Sequence, residues 1–218
     1  MSVARIKICG VRNRAAIEAA AAGQADYVGF VFFPKSPRNL SLDDAAGLAG
    51  AVPSGIRRIG LFVNADDEAI GAAVRAARLD GVQLHGDEGP ERVAAVKARF
   101  GVEVWKAVPV ATRADLAGAR RYAGIADRIL FDAKTQPGAA LPGGMGVRFD
   151  WRLLGGGSGG FDPGAPWGLA GGLDASTVGE ALATTQAPLV DVSSGVEDAP
   201  GVKSPAKIRA FCEAVRAA

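Results

Sequence analysis

Four reactive side chains stand at the ends of short apolar runs and define the chemistry open to this chain: Cys9, Arg38, His85 and Asp132. Cys9 closes Lys7-Ile8-Cys9-Gly10, where the glycine lets the backbone turn away and leaves a thiol at a strand end. Such a thiol is a base if nearby positive charge lowers its pKa from about 8.5, and Lys7, two residues earlier, points to the same side. The plainer reading is a small buried hydrophobe, which is also the expectation for Cys212 in the last amphipathic stretch. Asp132 follows Ile129-Leu130-Phe131. A carboxyl group there can donate a proton once its pKa is raised, or can form an ion pair with Lys134. Arg38 ends Pro34-Lys35-Ser36-Pro37-Arg38, a loop stiffened by its prolines, and its guanidinium suits a carboxylate unless it is a surface arginine. His85, the only histidine, lies in Gln83-Leu84-His85-Gly86-Asp87, where a catalytic and a structural role are both open. Gly171-Gly172 and Ser193-Ser194-Gly195 follow late apolar runs and precede helical stretches. Their N–H groups can converge on a phosphate, or can form ordinary turns.

Positioning these groups requires strands that end beside one another. Short β-branched or aromatic runs alternate with Ala-rich stretches of helical period, the mark of successive βα units. Strands are expected over Val3 to Cys9, Tyr27 to Phe33, Arg58 to Val63, Gly81 to Leu84, Glu103 to Val108, Arg128 to Asp132, Trp167 to Ala170 and Leu189 to Val192. Helices fill the gaps, starting near Asn13, Ser41, Asp66, Asp87, Thr112, Asp174 and Ser204, and the last ends near Ala217. Eight such units in 218 residues match a small closed (β/α)8 barrel, an α/β fold whose catalytic groups sit at the C-terminal strand ends. An open doubly wound sheet is the alternative, but no GxGxxG follows the first strand. Of the Gly- and Pro-rich segments Thr135 to Val147 and Gly155 to Pro166, one is expected to be a mobile loop over the site and the other a connection away from it.

Composition narrows the function classes. The chain is long enough for one large domain, expected to span residues 1–218. A net charge of +2, scattered along the chain, gives no basic arm for nucleic acid. No apolar run approaches the roughly 20 residues of a membrane span, and no signal-peptide core opens the chain, so a soluble cytoplasmic protein is expected. Two distant cysteines and one histidine leave few metal ligands, so neither disulfide nor metal is expected. The GGGSGG stretch from Gly155 lacks the GK[ST] ending of a P-loop and implies no ATP.

Taken in order, these segments resemble the phosphoribosylanthranilate isomerases over nearly the whole chain. The resemblance rests on KICG at Lys7 to Gly10, GFVFFPKSPR at Gly29 to Arg38, GLFVN at Gly60 to Asn64, QLHGDE at Gln83 to Glu88 and FDAK at Phe131 to Lys134. It continues with FDW at Phe149 to Trp151, LAGGL at Leu169 to Leu173, VDVSSGVE at Val190 to Glu197 and PGVK at Pro200 to Lys203. It implies a (β/α)8 barrel that performs a cofactor-free Amadori rearrangement of N-(5-phosphoribosyl)anthranilate in tryptophan biosynthesis. By the same resemblance Asp132 is the general acid and Cys9 the general base, and Arg38 holds the anthranilate carboxylate. Gly171, Gly172, Ser193, Ser194 and Gly195 take the phosphate, and His85, Gly144 and Gly146 contact substrate. The chain departs from the family at Gly143-Gly144-Met145-Gly146, where GGTG is usual; the lost hydroxyl bears on how that loop orders.

Other readings remain beside this one. The related histidine-pathway isomerases perform the same rearrangement on a larger substrate, but resemble this chain less because they carry a carboxylate where Cys9 stands. A silent barrel that only binds a phosphorylated metabolite is expected to lack the acid or the base. The expected partner is a small phosphoribosyl molecule, and monomer and homodimer are both open.

Overall fold

The computed structural model describes residues 4–135, 143, 144, 146, 148–155 and 162–218. Eight parallel strands close into a barrel in sequence order: β1 (Arg5–Cys9), β2 (Tyr27–Phe32), β3 (Arg57–Phe62), β4 (Gly81–Leu84), β5 (Glu103–Val110), β6 (Arg128–Ala133), β7 (Trp167–Leu169) and β8 (Leu189–Val192). The seam pairs Arg5 with Leu189 through Ile8 with Val192, which leaves no open edge on the sheet. Helices α1 (Arg14–Ala22), α2 (Leu42–Ala49), α3 (Asp67–Ala76), α4 (Pro90–Phe100), α5 (Arg113–Ala119), α6 (Val178–Thr185) and α7 (Pro205–Ala217) pack outside. A small antiparallel pair, β9 (Glu197–Ala199) and β10 (Val202–Lys203), follows β8.

Strand alternation sorts the side chains. Ile6 and Ile8 face outward into the large core shared with the helices, so Lys7 and Cys9 face inward. Inside the barrel, Tyr27, Ile59, Trp105, Ala107, Leu130 and Leu189 form a separate apolar cluster, the packed floor on which the functional end stands. Tyr27 meets Trp105 edge to face at 4.9 Å, with Lys7 Nζ 6.0 Å and Arg128 Cζ 5.1 Å from the Trp105 ring.

Asn13, Ser41, Asp66 and Thr112 cap their helices as expected, each side chain accepting from a backbone N–H of the first turn. Two expected starts move. Gly89 caps α4 because Pro90 takes the first helical position, and Asp87 N–H instead donates to Asn64. Asp174 accepts from the N–H groups of Ser176 and Thr177, forming a turn that delays α6 to Val178. Between β6 and β7 the element among the described residues is a 3-10 turn, Trp151–Leu153. That segment is the one crowded with Gly and Pro. Met145 and most of the two Gly-rich segments lie outside the described residues.

Trp105 is fully buried at the centre of the floor. Trp105→Ala is expected to cost about 3–5 kcal/mol, measured by denaturant unfolding with the far-ultraviolet circular dichroism spectrum retained before the transition.

Candidate active site

The inward-facing residues at the C-terminal strand ends open into a cavity lined by Cys9, Arg38, His85, Asp132, Gly144, Gly146, Gly171, Gly172, Ser193 and Ser194 among others. Sequence positions spread over nearly 200 residues thus meet on one face because every strand runs the same way. Gly195 alone of the expected site residues is not on the wall. It lies against the Leu173 carbonyl so closely that any Cβ would clash, and thereby docks the turn after β8 onto the turn after β7. Among the described residues, the N–H groups of Gly172, Ser194 and Gly195 donate to no protein acceptor, so this double turn offers free donors.

Cys9 is buried above the Lys7 ammonium, which lies within hydrogen-bond reach of its sulfur and donates to Asp191 Oδ2 at 2.8 Å. Gly29 makes room for this cluster: a Cβ there would stand 2.9 Å from Cys9 Sγ and 3.3 Å from Lys7 Nζ. Burial pushes the Cys9 thiol above its ordinary value; Lys7 and Lys203 pull it down by less, and Asp191 adds to the rise. The positive charge expected beside Cys9 is therefore present, yet desolvation outweighs it. Burial also opposes the Lys7 charge, but Asp191 and Cys9 more than offset it and hold the amine above its ordinary range.

Asp132 is the penultimate residue of β6, with Oδ1 accepting from Ala133 N–H at 2.8 Å and Oδ2 3.1 Å from His85 Nε2. Lys134, its alternative partner, pairs with Asp115 instead. His85 Nδ1 lies 3.2 Å from Gln83 Nε2. The histidine and aspartate can hold one proton between them, on Nε2 or on Oδ2 according to which end of the Gln83 amide faces Nδ1. Glu88 fixes the loop carrying His85: it accepts from Asn64 and Gly86 N–H, each at 2.8 Å, and from the buried Lys106 at 3.0 Å.

Arg38 is no surface arginine, being 6% exposed. Its Nε and Nη2 donate to the two carboxylate oxygens of Glu197, both at 2.8 Å, and Nη2 also donates to Gly144 O at 3.0 Å. Sequence reasoning passed over Gln83, Asp191, Glu197 and Lys203. Gln83 and Asp191 had a usable signal, since each sits two residues before a site residue on an otherwise apolar strand and so shares its inward face.

Gly171 has φ +83°, and a Cβ there would stand 2.6 Å from Ala133 N and 2.8 Å from Asp132 Oδ1. Gly171→Ala is expected to lower stability by about 1–3 kcal/mol and to displace the Asp132 carboxylate. Gly179→Ala, in α6 with open space around it, is expected to be neutral or slightly stabilising; chemical denaturation of both variants checks the contrast.

Known proteins share this arrangement of chain and barrel. The family model described as N-(5'phosphoribosyl)anthranilate (PRA) isomerase matches residues 6–214. An N-(5'-phosphoribosyl)anthranilate isomerase of Cereibacter sphaeroides is 53% identical over 216 residues, covering 99% of this chain and 100% of the relative. One of Azorhizobium caulinodans is 54% identical over 213 residues, covering 98% and 92%. The crystal structure of phosphoribosyl anthranilate isomerase from Thermotoga maritima superposes with a TM-score of 0.86 at 35% identity, covering 99% of this chain and 100% of that one. A structure of the isomerase in complex with reduced 1-(o-carboxyphenylamino)-1-deoxyribulose 5-phosphate gives a TM-score of 0.84 at 33% identity, with the same coverage. With a family match over residues 6–214 and relatives above half identity, this chain belongs to the N-(5'-phosphoribosyl)anthranilate isomerase family.

Proposed function

We propose that this isomerase converts N-(5-phosphoribosyl)anthranilate into 1-(2-carboxyphenylamino)-1-deoxyribulose 5-phosphate with Asp132 as general acid and Cys9 as general base. The observation that carries the assignment is that both side chains line one cavity at the barrel mouth, Asp132 in contact with His85 and Cys9 beside Lys7.

Protonation of the ribose ring oxygen by Asp132 breaks the C1–O bond as the anilino nitrogen lone pair forms a C1=N iminium. The positive nitrogen acidifies C2. Cys9 thiolate takes the C2 proton, the C–H electron pair becomes the C1=C2 bond, and the nitrogen recovers its lone pair. The resulting enolamine tautomerises to the C2 ketone: the C2 hydroxyl gives up its proton as the C1=C2 electron pair takes one at C1. Electrons only rearrange within the substrate, so one acid and one base suffice without a cofactor. A thiol held above its ordinary range is less often ionised but is a stronger base when it is.

Two anionic anchors orient the sugar between these groups. Arg38 takes the anthranilate carboxylate, and the turns of Gly171, Gly172, Ser193, Ser194 and Gly195 take the phosphate through free N–H donors. His85 positions Asp132, and Gly144 and Gly146 contact the substrate. The reading places the whole chain in one cytoplasmic domain acting on a small molecule, as monomer or homodimer. A Thermotoga maritima relative is described as dimeric, and no helix among the described residues is long and apolar enough to cross a membrane.

The test is a fluorescence assay of substrate consumption, with phosphoribosylanthranilate generated in situ and chelator-treated protein. Turnover is expected to survive the chelator. Cys9→Ser and Asp132→Asn are each expected to lose about 10²–10⁴-fold in kcat while still binding the reduced product. Near-normal turnover by either variant would remove that residue from its role.

A further inference from the structure

We infer that Glu197 is a positioning residue that confers selectivity for a carboxylate-bearing aromatic amine, by locking the Arg38 guanidinium with one donor edge turned to the substrate. The inference rests on the reading of Arg38 as the carboxylate grip and adds the groups that make the grip selective.

An arginine on a loop is a poor anchor, because a long side chain must be ordered each time ligand binds. Here the ordering is done in advance. Both oxygens of Glu197 hold Nε and Nη2 in a fork at 2.8 Å, and Gly144 O takes a further Nη2 hydrogen at 3.0 Å. The planar group is fixed in tilt and rotation, and Nη1 is left without a protein acceptor among the described residues.

Glu197 is itself held. The Lys203 side chain, with no exposed surface, donates to Glu197 Oε1 at 2.7 Å and to Ser193 O at 2.8 Å. Ser193 Oγ in turn donates to Cys9 O at 3.2 Å. One buried carboxylate thus ties the arginine, the turn after β8 and the strand carrying the thiol into a single frame. The β9–β10 hairpin that supplies both residues lies on the arginine's own loop: Gly201, at φ +81°, packs on the Pro37 carbonyl too closely to admit a Cβ, and Arg12 donates to that carbonyl at 3.0 Å.

The charges also fit. Arg38 and Lys203 against Glu197 leave one positive charge at this end of the cavity, the complement of a single carboxylate. Burial disfavours the Glu197 charge, but hydrogen bonds from Arg38 and the charge of Lys203 outweigh it and keep the carboxyl below its ordinary range. Without that charge, two buried cations would face each other and the guanidinium would lose its fork.

The test compares two competing ligands: the reduced product 1-(2-carboxyphenylamino)-1-deoxyribitol 5-phosphate and its counterpart lacking the carboxylate, 1-phenylamino-1-deoxyribitol 5-phosphate. Their ratio of Kd measures selectivity for the carboxylate. Glu197→Gln is expected to cut that ratio about ten-fold, leaving the carboxylate-free ligand within about two-fold of wild type. In turnover it is expected to raise KM with little change in kcat. Lys203→Met is expected to move the ratio the same way. Arg38→Ala sets the scale. If it abolishes the preference while Glu197→Gln keeps it, the inference fails and the Arg38 reading stands. If Arg38→Ala also keeps the preference, the reading beneath it fails too. Equal loss of both ligands in Glu197→Gln and Lys203→Met, including loss through misfolding, marks a general scaffold role and overturns the inference.

Discussion

An ammonium and a carboxylate 2.8 Å apart, closed off from water inside the barrel, support everything above them: Lys7 on β1 and Asp191 on β8. Burying two charges costs several kcal/mol each unless they find one another, so neither residue tolerates the loss of its partner. The pair straddles the seam where the first and last strands meet. It rests on the Trp105 ring below and reaches Cys9 above, and so couples barrel closure to the ionisation of one thiol. Asp191 Oδ1 has no hydrogen-bond partner among the described residues, which leaves an acceptor in the cavity wall.

The rest of the mouth follows the same plan, in which buried ions set the loops that carry the cavity-lining side chains. Glu88 and Lys106 hold the turn after β4 and with it His85, which faces Asp132. Glu197 and Lys203 hold Arg38 and the turn after β8. Each carboxylate makes at least two charge-assisted bonds, enough to offset its desolvation and to leave little slack in the side chains that line the cavity. Glycines do the complementary work where backbone must approach backbone or carboxylate, as Gly171 does against Asp132 and Gly195 against Leu173.

Much of this was legible in the sequence because a parallel barrel repeats one simple pattern. The runs at Gly81 to Leu84 and Leu189 to Val192 mark their strands to the residue, since apolar runs bounded by turn residues have few other uses. Cys9, His85 and Asp132 stood out as polar ends of such runs, and all three reach one cavity. Lys7 was read from its spacing to Cys9, and Gln83 and Asp191 were legible in principle by the same rule: each is a polar side chain in the inward register, visible only once alternation is followed strand by strand. Glu197 and Lys203 were not. They lie on a short hairpin after β8 with no periodicity of its own, and their importance comes from a guanidinium some 160 residues earlier, 159 from Glu197. Local propensity also misplaced the start of α4, where Pro90 overrode Asp87.

The proposed mechanism turns on Cys9 as a base whose strength is set by burial working against Lys7, and a direct titration of that thiol tests it. Thiolate absorbance, taken as the difference between wild type and Cys9→Ser so that Cys212, pushed up to about 11, cancels, reports the ionisation of Cys9 alone. Cys9 is expected to ionise above the ordinary thiol value of about 8.5. Lys7→Met removes a nearby positive charge that favours the thiolate. Asp191, buried without its cation, then takes up a proton and withdraws a smaller opposing effect, so the net shift is further upward. Ionisation of wild-type Cys9 at or below the ordinary value, or no upward shift in Lys7→Met, would contradict this account of how burial and Lys7 set the strength of the base.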